Sequence, residues 1–503
     1  MFQFQFDFCE VVMSRNSRSI NYNYLITNKL YIIYIIYEKE TPPRKSTETT
    51  ETETLDRIKF HLKSRISMTY DISKATAPAM PTLGKGTECI KLLLSQAVED
   101  IQEPLVPMFF PILGAHISGA EFQYPDNSWK EPTGMMANLV AHSGDNKGQL
   151  KPLADAICRD FRQHDKAEEN RLLEWQKLKN SKGDNKDKPD RPNVTFRFPP
   201  TNTTNAAFIQ NAMALEDQGG LTQYFNLPEV EMADRLCGGH KQVSVLLRNV
   251  YDCDRAGALR ATSDGVTGNP IIRACFTVSS NPDSTRRFYR YELTNGTFGR
   301  MVFSYKPRGS RKGRIPRQGK YDDKFYQQLD KYMARLDICK GRFIIRQLNK
   351  LVDRLAQDMA TMADLADDDL LFELSHRSLV SAWKAGCILW TLNGQTWTRS
   401  MGELVEWLVY HDLWSKMAVF ADLIRSGETG LSEVIKTGPK NMLDSLPDAF
   451  NEAQLDVLRE TVNKPKDGTK RQLRVWKNRG FITFSPETGL YSKTQAYLEN
   501  VKM

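Results

Sequence analysis

The chain has 503 residues, of which 40% are hydrophobic, 26% charged and 10% aromatic, and at roughly 150 residues per domain that is length for about three domains. This composition excludes a disulfide-stapled miniprotein, a collagen-like chain and wholesale disorder. Lysine and arginine number 69 against 61 acidic residues, a net charge of +8 that favours polyanionic partners without requiring them. The eight cysteines form no C-x-x-C pair, so neither a zinc ribbon nor a disulfide framework is indicated, and a reducing cytoplasm is the expected compartment.

Residues 1–67 differ in texture from the rest of the chain: a Phe/Gln alternation, an Asn/Tyr-rich stretch, the run LYIIYIIY at 30–37 and the tract TETTETETLD. The apolar run is far short of the roughly 20 residues a membrane span needs, and no small-residue cleavage site comes after it. Two readings stand: a disordered extension, or translation that starts at Met68 rather than at Met1 or Met13.

From residue 88 to about 101, Ile90, Leu93, Leu94 and Val98 follow helical spacing, and a second apolar stretch covers 105–117. Residues 68–133 therefore read as a helical lead-in. GMMANLVA at 134–141 is a short apolar run between turn signals, which predicts a buried strand of a parallel sheet. Leu150, Leu153, Ile157, Phe161, Leu172 and Leu173 predict a helix ending in the polar tract 180–193. Strands are expected at 194–198, 221–225, 271–278 and 301–305, with a helix carrying Val243, Leu246, Leu247 and Val250. Strands alternating with helices make 134–305 an α/β core.

Residues 305–320, YKPRGSRKGRIPRQGK, carry seven basic residues and no acidic one. This loop, with Arg308, Arg311, Lys312 and Arg314, is a candidate for tracking a nucleic-acid backbone; a basic linker is the plainer reading. From 325 to about 423 the spacing is helical throughout, so 306–430 reads as the basic loop and a helical bundle. Ser400 and Glu403 form a capping-box pattern at the start of its last long helix. Within 431–503 the expected order is helix 442–446, helix 452–462, helix 468–479 and a hairpin, the order of a winged helix. Leu473 and Trp476 share one face of its third helix, while Lys470, Arg471, Arg474 and Lys477 share the other, with Lys464, Lys466, Arg479 and Lys493 nearby. Such a face suits a DNA groove, although winged helices also dock proteins.

The segment after the first core strand, AHSGDNKGQ at 141–149, has the form of a damaged P-loop. A P-loop needs glycines that let backbone amides converge on phosphate, a lysine for the terminal phosphates and a hydroxyl that holds magnesium. Gly144 and Lys147 are in place, with Ser143 beside them. Ala141 stands where the first glycine belongs, Asn146 replaces the glycine before the lysine, and Gly148 replaces the Ser/Thr. Asn tolerates left-handed backbone, so Asn146 is the mildest of these changes. Glu229 and Glu231 come after a strand and suit magnesium coordination and water orientation, or they simply open a surface helix. Asn281 at a strand end suits γ-phosphate contact, or a Ser/Asn/Pro turn. Arg300 is the candidate arginine finger. Asp252 and Asp254 read as a capped loop more readily than as metal ligands.

The ordered set LVAHSGDNKG, NLPEVEMADRL, FTVSSNP, FGRMVF and WLVYHDLWSKMAVF resembles a domain-of-unknown-function family carried on mobile elements and prophages of gut anaerobes. That family is similar to virulence-associated-E-like and superfamily-3-type primase-helicase ATPases. The resemblance covers roughly residues 88–424. It implies an α/β P-loop NTPase-like core, ATP and Mg2+ as cofactors, Lys147 as the phosphate lysine, Glu229 and Glu231 as the acidic pair, Asn281 as the sensor and Arg300 as the late arginine completing a neighbour's site. Asn146 and Gly148 depart from the family pattern and put magnesium coordination, and with it turnover, in question. The expected protein is thus a cytoplasmic, DNA-associated, helicase-type ATPase of a mobile element or phage, acting in replication or mobilisation. It would be a homo-oligomer, with a ring as the natural assembly, and would have no membrane partner. The rivals are a non-catalytic DNA-binding replication initiator or regulator in which the damaged P-loop is only structural and inactive, and a protein-interaction adaptor.

Overall fold

In the computed structural model the described residues are 77–181, 189–238, 240–257, 267–290, 292–293, 296–309, 319–366, 368–426, 442–461 and 464–501. The extension 1–67, most of the basic loop and residues 427–441 lie outside them. The described residues divide into a unit within 77–475 and a second within 476–501.

The large unit opens with α1 (Glu88–Leu94) and α2 (Glu99–Gly114). The lead-in helix expected over 88–101 thus breaks at residues 95–98. Pro104, Pro107 and Pro111 lie inside α2, each removing one helical N–H. The helix is buried along nearly its whole length from Ile101 to Gly114. Next come β1 (Ala120–Gln123), β2 (Trp129–Lys130) and β3 (Met136–Ala141). Every residue of β3 is buried, so both faces of the sheet are covered at this strand. After a 3-10 turn at Lys147–Gln149, α3 (Leu150–Ile157) and α4 (Arg159–Ser181) take the place of the single helix expected, since Cys158 between them leaves helical geometry (φ −95°, ψ 29°).

Residues 194–198 are not a strand, because side chains have captured their amides. Thr195 N donates to Glu168, Phe196 N to Asn211 Oδ1 at 2.8 Å, and Arg197 N and Phe198 N to the two carboxylate oxygens of Asp165 at 2.7 Å each. The chain continues through α5 (Asn205–Asp217), β4 (Gln223–Leu227), α6 (His240–Asp252), β5 (Ala274–Ser280), α7 (Pro282–Tyr289), the single turn α8 (Thr297–Arg300) and β6 (Val302–Lys306). These strands form one parallel sheet in the order β4-β5-β3-β6. The α/β core is therefore as the alternation predicts. Its register sets Lys306 beside Ala141, Ser280 beside Val140 and Leu227 beside Val278.

The helical region comprises α9 (Asp323–Asp337), the short β7 (Gly341–Phe343), α10 (Arg346–Ala366), α11 (Asp369–Leu392) and α12 (Arg399–Ser426). An unexpected second sheet, β2-β1-β7, joins this region to the lead-in. Helix α12 begins one residue before the expected cap, and Thr398 rather than Ser400 receives an amide at that end, from Met401 N at 3.4 Å. One apolar cluster runs continuously from Leu83 to Phe420. Lead-in, sheet and helices, which sequence texture separates, thus share a single core.

β6 is an edge strand, and α12 covers it with polar side chains. Phe303 N donates to Asp412 Oδ1 at 2.7 Å and Tyr305 N to Ser415 Oγ at 3.0 Å. The Ser304 hydroxyl donates to the Pro104 carbonyl at 2.8 Å, so His411 Nε2 is the donor in its 2.9 Å bond to Ser304 Oγ. Lys416, with none of its side chain exposed, donates to Asp412 Oδ2 at 2.8 Å, and Ser378 donates to the same oxygen. Open ladder groups on the edge are thereby satisfied internally.

Burial pushes the His411 imidazole down from 6.5 to about 3. The unfolded chain takes up a proton near pH 6.5 while the folded chain does not until about pH 3. The stabilising contribution is therefore whole above pH 6.5 and is lost as pH falls toward 3. Between pH 7.5 and 5.5 the loss is about 1 kcal/mol. Unfolding free energies from urea titrations at the two pH values should differ by that much more in the parent than in His411→Gln.

At the end of the large unit, residues 442–446 form turns rather than a helix, the chain running into Pro447. There follow the short strand β8 (Ala449–Phe450), α13 (Glu452–Thr461), and α14 (Thr469–Asn478), which crosses into the second unit. On α14 Leu473 and Trp476 are buried, while Lys470, Arg471, Arg474 and Lys477 are exposed. The second unit contains the antiparallel hairpin of β9 (Ile482–Ser485) and β10 (Leu490–Lys493), then an unforeseen α15 (Gln495–Val501). No helix of the described residues is long and apolar enough to cross a membrane.

Candidate functional site

Because the four core strands are parallel, the segments leaving β3, β4, β5 and β6 gather at one edge of the sheet. In open α/β sheets ligands sit in the crevice at such carboxyl ends, where the strand order reverses. Here β3 is that place, since the chain goes from it to β4 and β5 on one side and returns to β6 on the other.

The loop leaving β3 turns twice through left-handed backbone, at Gly144 (φ +88°) and Asn146 (φ +62°). Asn146 thus adopts the conformation for which a glycine would otherwise be used. The amides of Asn146, Lys147 and Gly148 start the 3-10 turn and have no acceptor within it. Ser143, Gly144 and Gly148 are exposed, and no atom lies within 4 Å of where a Cβ would stand at either glycine. Lys147 is half-buried and enters no hydrogen bond or ion pair among the described residues.

Beneath the loop is an anchor. The Asn146 side-chain Nδ2 donates to both oxygens of Asp100, in the first turn of α2, at 3.2 and 3.3 Å. Lys306, at the end of β6 and nearly buried, lies 3.6 Å from Asp100 Oδ2 and 3.4 Å from Asp145 Oδ1. The other Asp145 oxygen is buried without a donor. Gln149 receives Val98 N at 2.9 Å, tying the turn to the lead-in. Sequence reasoning missed this anchor. Lys306 counted as part of the basic loop, and the signal that it differs is its place as the last residue of the apolar run MVFSYK.

The other candidates divide. Glu229 comes two residues after β4, at the same sheet edge as the loop; it is exposed and unpaired among the described residues. Glu231 lies in the first turn of a 3-10 helix, Val230–Gly238, as the surface-helix reading expects. Arg287 Nη2 donates to it at 2.9 Å. Partial burial works to raise its carboxyl, but hydrogen bonds from Ser284 and Arg287 outweigh that and hold it below the usual range. No third carboxylate or histidine joins these glutamates at ligand distance among the described residues. Asn281, also at this edge, caps α7: its oxygen accepts Ser284 N at 2.9 Å and its amide donates to Ser284 Oγ at 3.0 Å. That is the turn reading, with both ends of the side chain in use.

Arg300 is not brought to this edge. It precedes β6, whose first residue, Val302, pairs beside Ala137 near the start of β3, so it stands at the opposite end of the sheet. Its Nη2 and Nε bind Asp252 Oδ2 at 2.8 and 3.1 Å, and its Nη1 donates to Gly296 O. Asp252 is thus an ion-pair partner rather than a free metal ligand. In the basic loop, Arg308 is exposed, whereas Arg311, Lys312 and Arg314 lie outside the described residues. On α14, Arg471 reaches Asp369 at 3.4 Å in a pair that water screens heavily, and the surrounding face stays basic.

Compared with known protein families and with curated proteins, the chain has no match.

Proposed function

We propose that the loop at residues 142–149 binds the phosphates of a nucleotide, ATP by the family resemblance, in a DNA-associated P-loop-like protein acting in replication or mobilisation of a mobile element or phage. The observation that carries this reading is the loop itself. It joins a buried central strand to a helix at the carboxyl edge of a parallel sheet, has two left-handed residues, free starting amides, and an unpaired lysine above an anchored base. In this role the loop amides donate to phosphate oxygens, Lys147 neutralises the terminal phosphates, and Lys306 holds the loop through Asp145 and Asp100.

The fit to a nucleotide phosphate is good and the fit to Mg2+ is partial. Gly148 supplies no hydroxyl, and Glu231 is spent on Arg287 and Ser284, which leaves Glu229 as the member of the pair free to hold the ion or orient water. Mg2+ would shield the phosphates and stabilise charge at the transferring group. The basic face of α14, in what we read as a winged helix, suits DNA phosphates, as does the loop bearing Arg308, Arg311, Lys312 and Arg314. A cytoplasmic homo-oligomer, as a ring, belongs to the same reading.

The second reading is a non-catalytic initiator or regulator that binds nucleotide and DNA without turnover. The missing hydroxyl, the occupied Asn281 and the position of Arg300 favour it. Both readings predict ATP binding by protein starting at Met68, with Lys147→Ala weakening it about tenfold, or ~1.4 kcal/mol. Equilibrium binding of labelled ATP tests this, and equal affinity in the variant would remove the loop from the account. DNA-stimulated phosphate release that Lys147→Ala abolishes separates the motor from the regulator. Loss of DNA binding on charge reversal at Lys470, Arg471 and Arg474 would exclude the adaptor.

A further inference from the structure

Three elements of the large unit meet at His116. It follows the end of α2 and has no exposed side-chain surface, yet neither ring nitrogen has a hydrogen-bond partner. A buried imidazole left unsatisfied in this way calls for a ligand or an ion. Its ring stacks on Phe161 with centroids 4.3 Å apart. Its Nδ1 lies 3.7 Å from Asp160 Oδ2, in the first turn of α4, and 3.5 Å from Asp337 Oδ1, at the last residue of α9. The three ligand atoms all fall within 4.8 Å of one another.

The cations around this cluster have their hydrogen bonds elsewhere. Arg159 binds Asp330, Arg162 binds Asp155, Arg335 donates to the Leu392 carbonyl, and Arg197 donates to the carbonyls of Ala115 and Thr222 while lying over Phe161. Asp337 also ends its helix, where a negative charge meets the negative pole of the backbone dipoles and is disfavoured unless a cation is near.

We propose that His116, Asp160 and Asp337 form a site for a tetrahedral divalent metal ion of the zinc class, with water as the fourth ligand. Metal bonds of about 2.0–2.2 Å to nitrogen and oxygen set tetrahedral ligand atoms about 3.3–3.5 Å apart. The two histidine–carboxylate separations, 3.5 and 3.7 Å, are close to that edge. One imidazole with two carboxylates suits zinc better than calcium or magnesium, which favour all-oxygen shells. The carboxylates are 54% and 50% exposed, which gives the ion an entry path and leaves room for the water. The ion would clip together the end of α2, the start of α4 and the end of α9. Arg197 leaves the cluster a smaller net negative charge and moderates the affinity.

The test uses tag-free full-length protein, without nucleotide, dialysed against Zn2+ and assayed for bound metal, with Co2+ as the spectroscopic probe. The expected result is one equivalent of Zn2+ per chain and the intense visible absorption of tetrahedral Co2+. Asp160→Asn and Asp337→Asn, at half-exposed positions, should each weaken binding at least tenfold with unchanged circular dichroism. His116→Gln should abolish binding; if that variant does not fold, the two aspartate variants decide alone. Zn2+ binding no greater in the parent than in the Asp160→Asn/Asp337→Asn double variant would overturn the proposal, leaving direct contact of the buried ring with the two carboxylates as the account of the cluster.

Discussion

Asp412→Ala is expected to destabilise the large unit by about 3–5 kcal/mol, the usual cost of stranding one partner of a buried ion pair. Lys416 has no side-chain exposure and Asp412 only 3%, so water cannot replace the lost carboxylate. The substitution also strips the acceptor from Phe303 N and leaves the Ser378 hydroxyl with the Leu374 carbonyl alone. Stabilities of whole domains run to about 5–15 kcal/mol, so the variant should show a much reduced urea midpoint. Asp412→Asn can keep an oxygen for Phe303 N and should cost less. Combining it with Lys416→Met removes the unpaired ammonium and should recover part of the loss, a coupling that a double-mutant cycle measures directly. If Asp412→Ala loses less than about 1 kcal/mol, the pair does not carry the edge of the sheet.

Gly148→Thr should raise Mg2+-dependent ATP hydrolysis by one to two orders of magnitude, corresponding to ~1.4–2.7 kcal/mol of added transition-state stabilisation. Of the departures from a P-loop, this one removes a functional group rather than a backbone freedom. Position 148 lies outside the left-handed region and has open space where a Cβ would project, so the larger residue fits without strain. Asn146→Gly should do little by comparison. Asn146 already holds the left-handed backbone, and its side chain anchors the loop to Asp100. Phosphate release by Gly148→Thr, by the parent and by Gly148→Thr/Lys147→Ala checks the prediction. A rise that survives loss of Lys147 would trace the activity to a contaminant or to another site, and no rise would favour the non-catalytic reading.

The core strands were legible because each is a short apolar run ended by a turn signal, and β3, with all six residues buried, is the clearest case. The basic face of α14 was legible for the analogous helical reason: Leu473 and Trp476 fix which side is inward. The failures have a common physical origin, the capture of polar backbone by distant side chains. Residues 194–198 have strand-like composition, but Asp165, Glu168 and Asn211 bind their amides. His411, Asp412, Ser415 and Lys416 stand in a segment whose spacing reads only as helix, and nothing local says that three of them bind groups on β6. Lys306 and the His116 cluster were missed for the same reason, since their partners come from elements far away in the chain. At the candidate site the sequence named the loop and Glu229, but it had no means of telling that Glu231, Asn281 and Arg300 would be occupied by Arg287, Ser284 and Asp252.

The cover on β6 also has a timetable. Its three contacts to α12 span 107 to 110 residues, and a ribosome adding roughly 5–20 residues per second needs on the order of 5–20 s to supply them. For that interval the growing chain carries a finished apolar strand whose outer hydrogen-bonding groups are open to any extended segment that drifts past. The nascent protein is thus most exposed to mispairing after the loop at residues 142–149 and β6 are complete and before α12 emerges, a stage at which a chaperone that shields strand edges would have the most effect on yield.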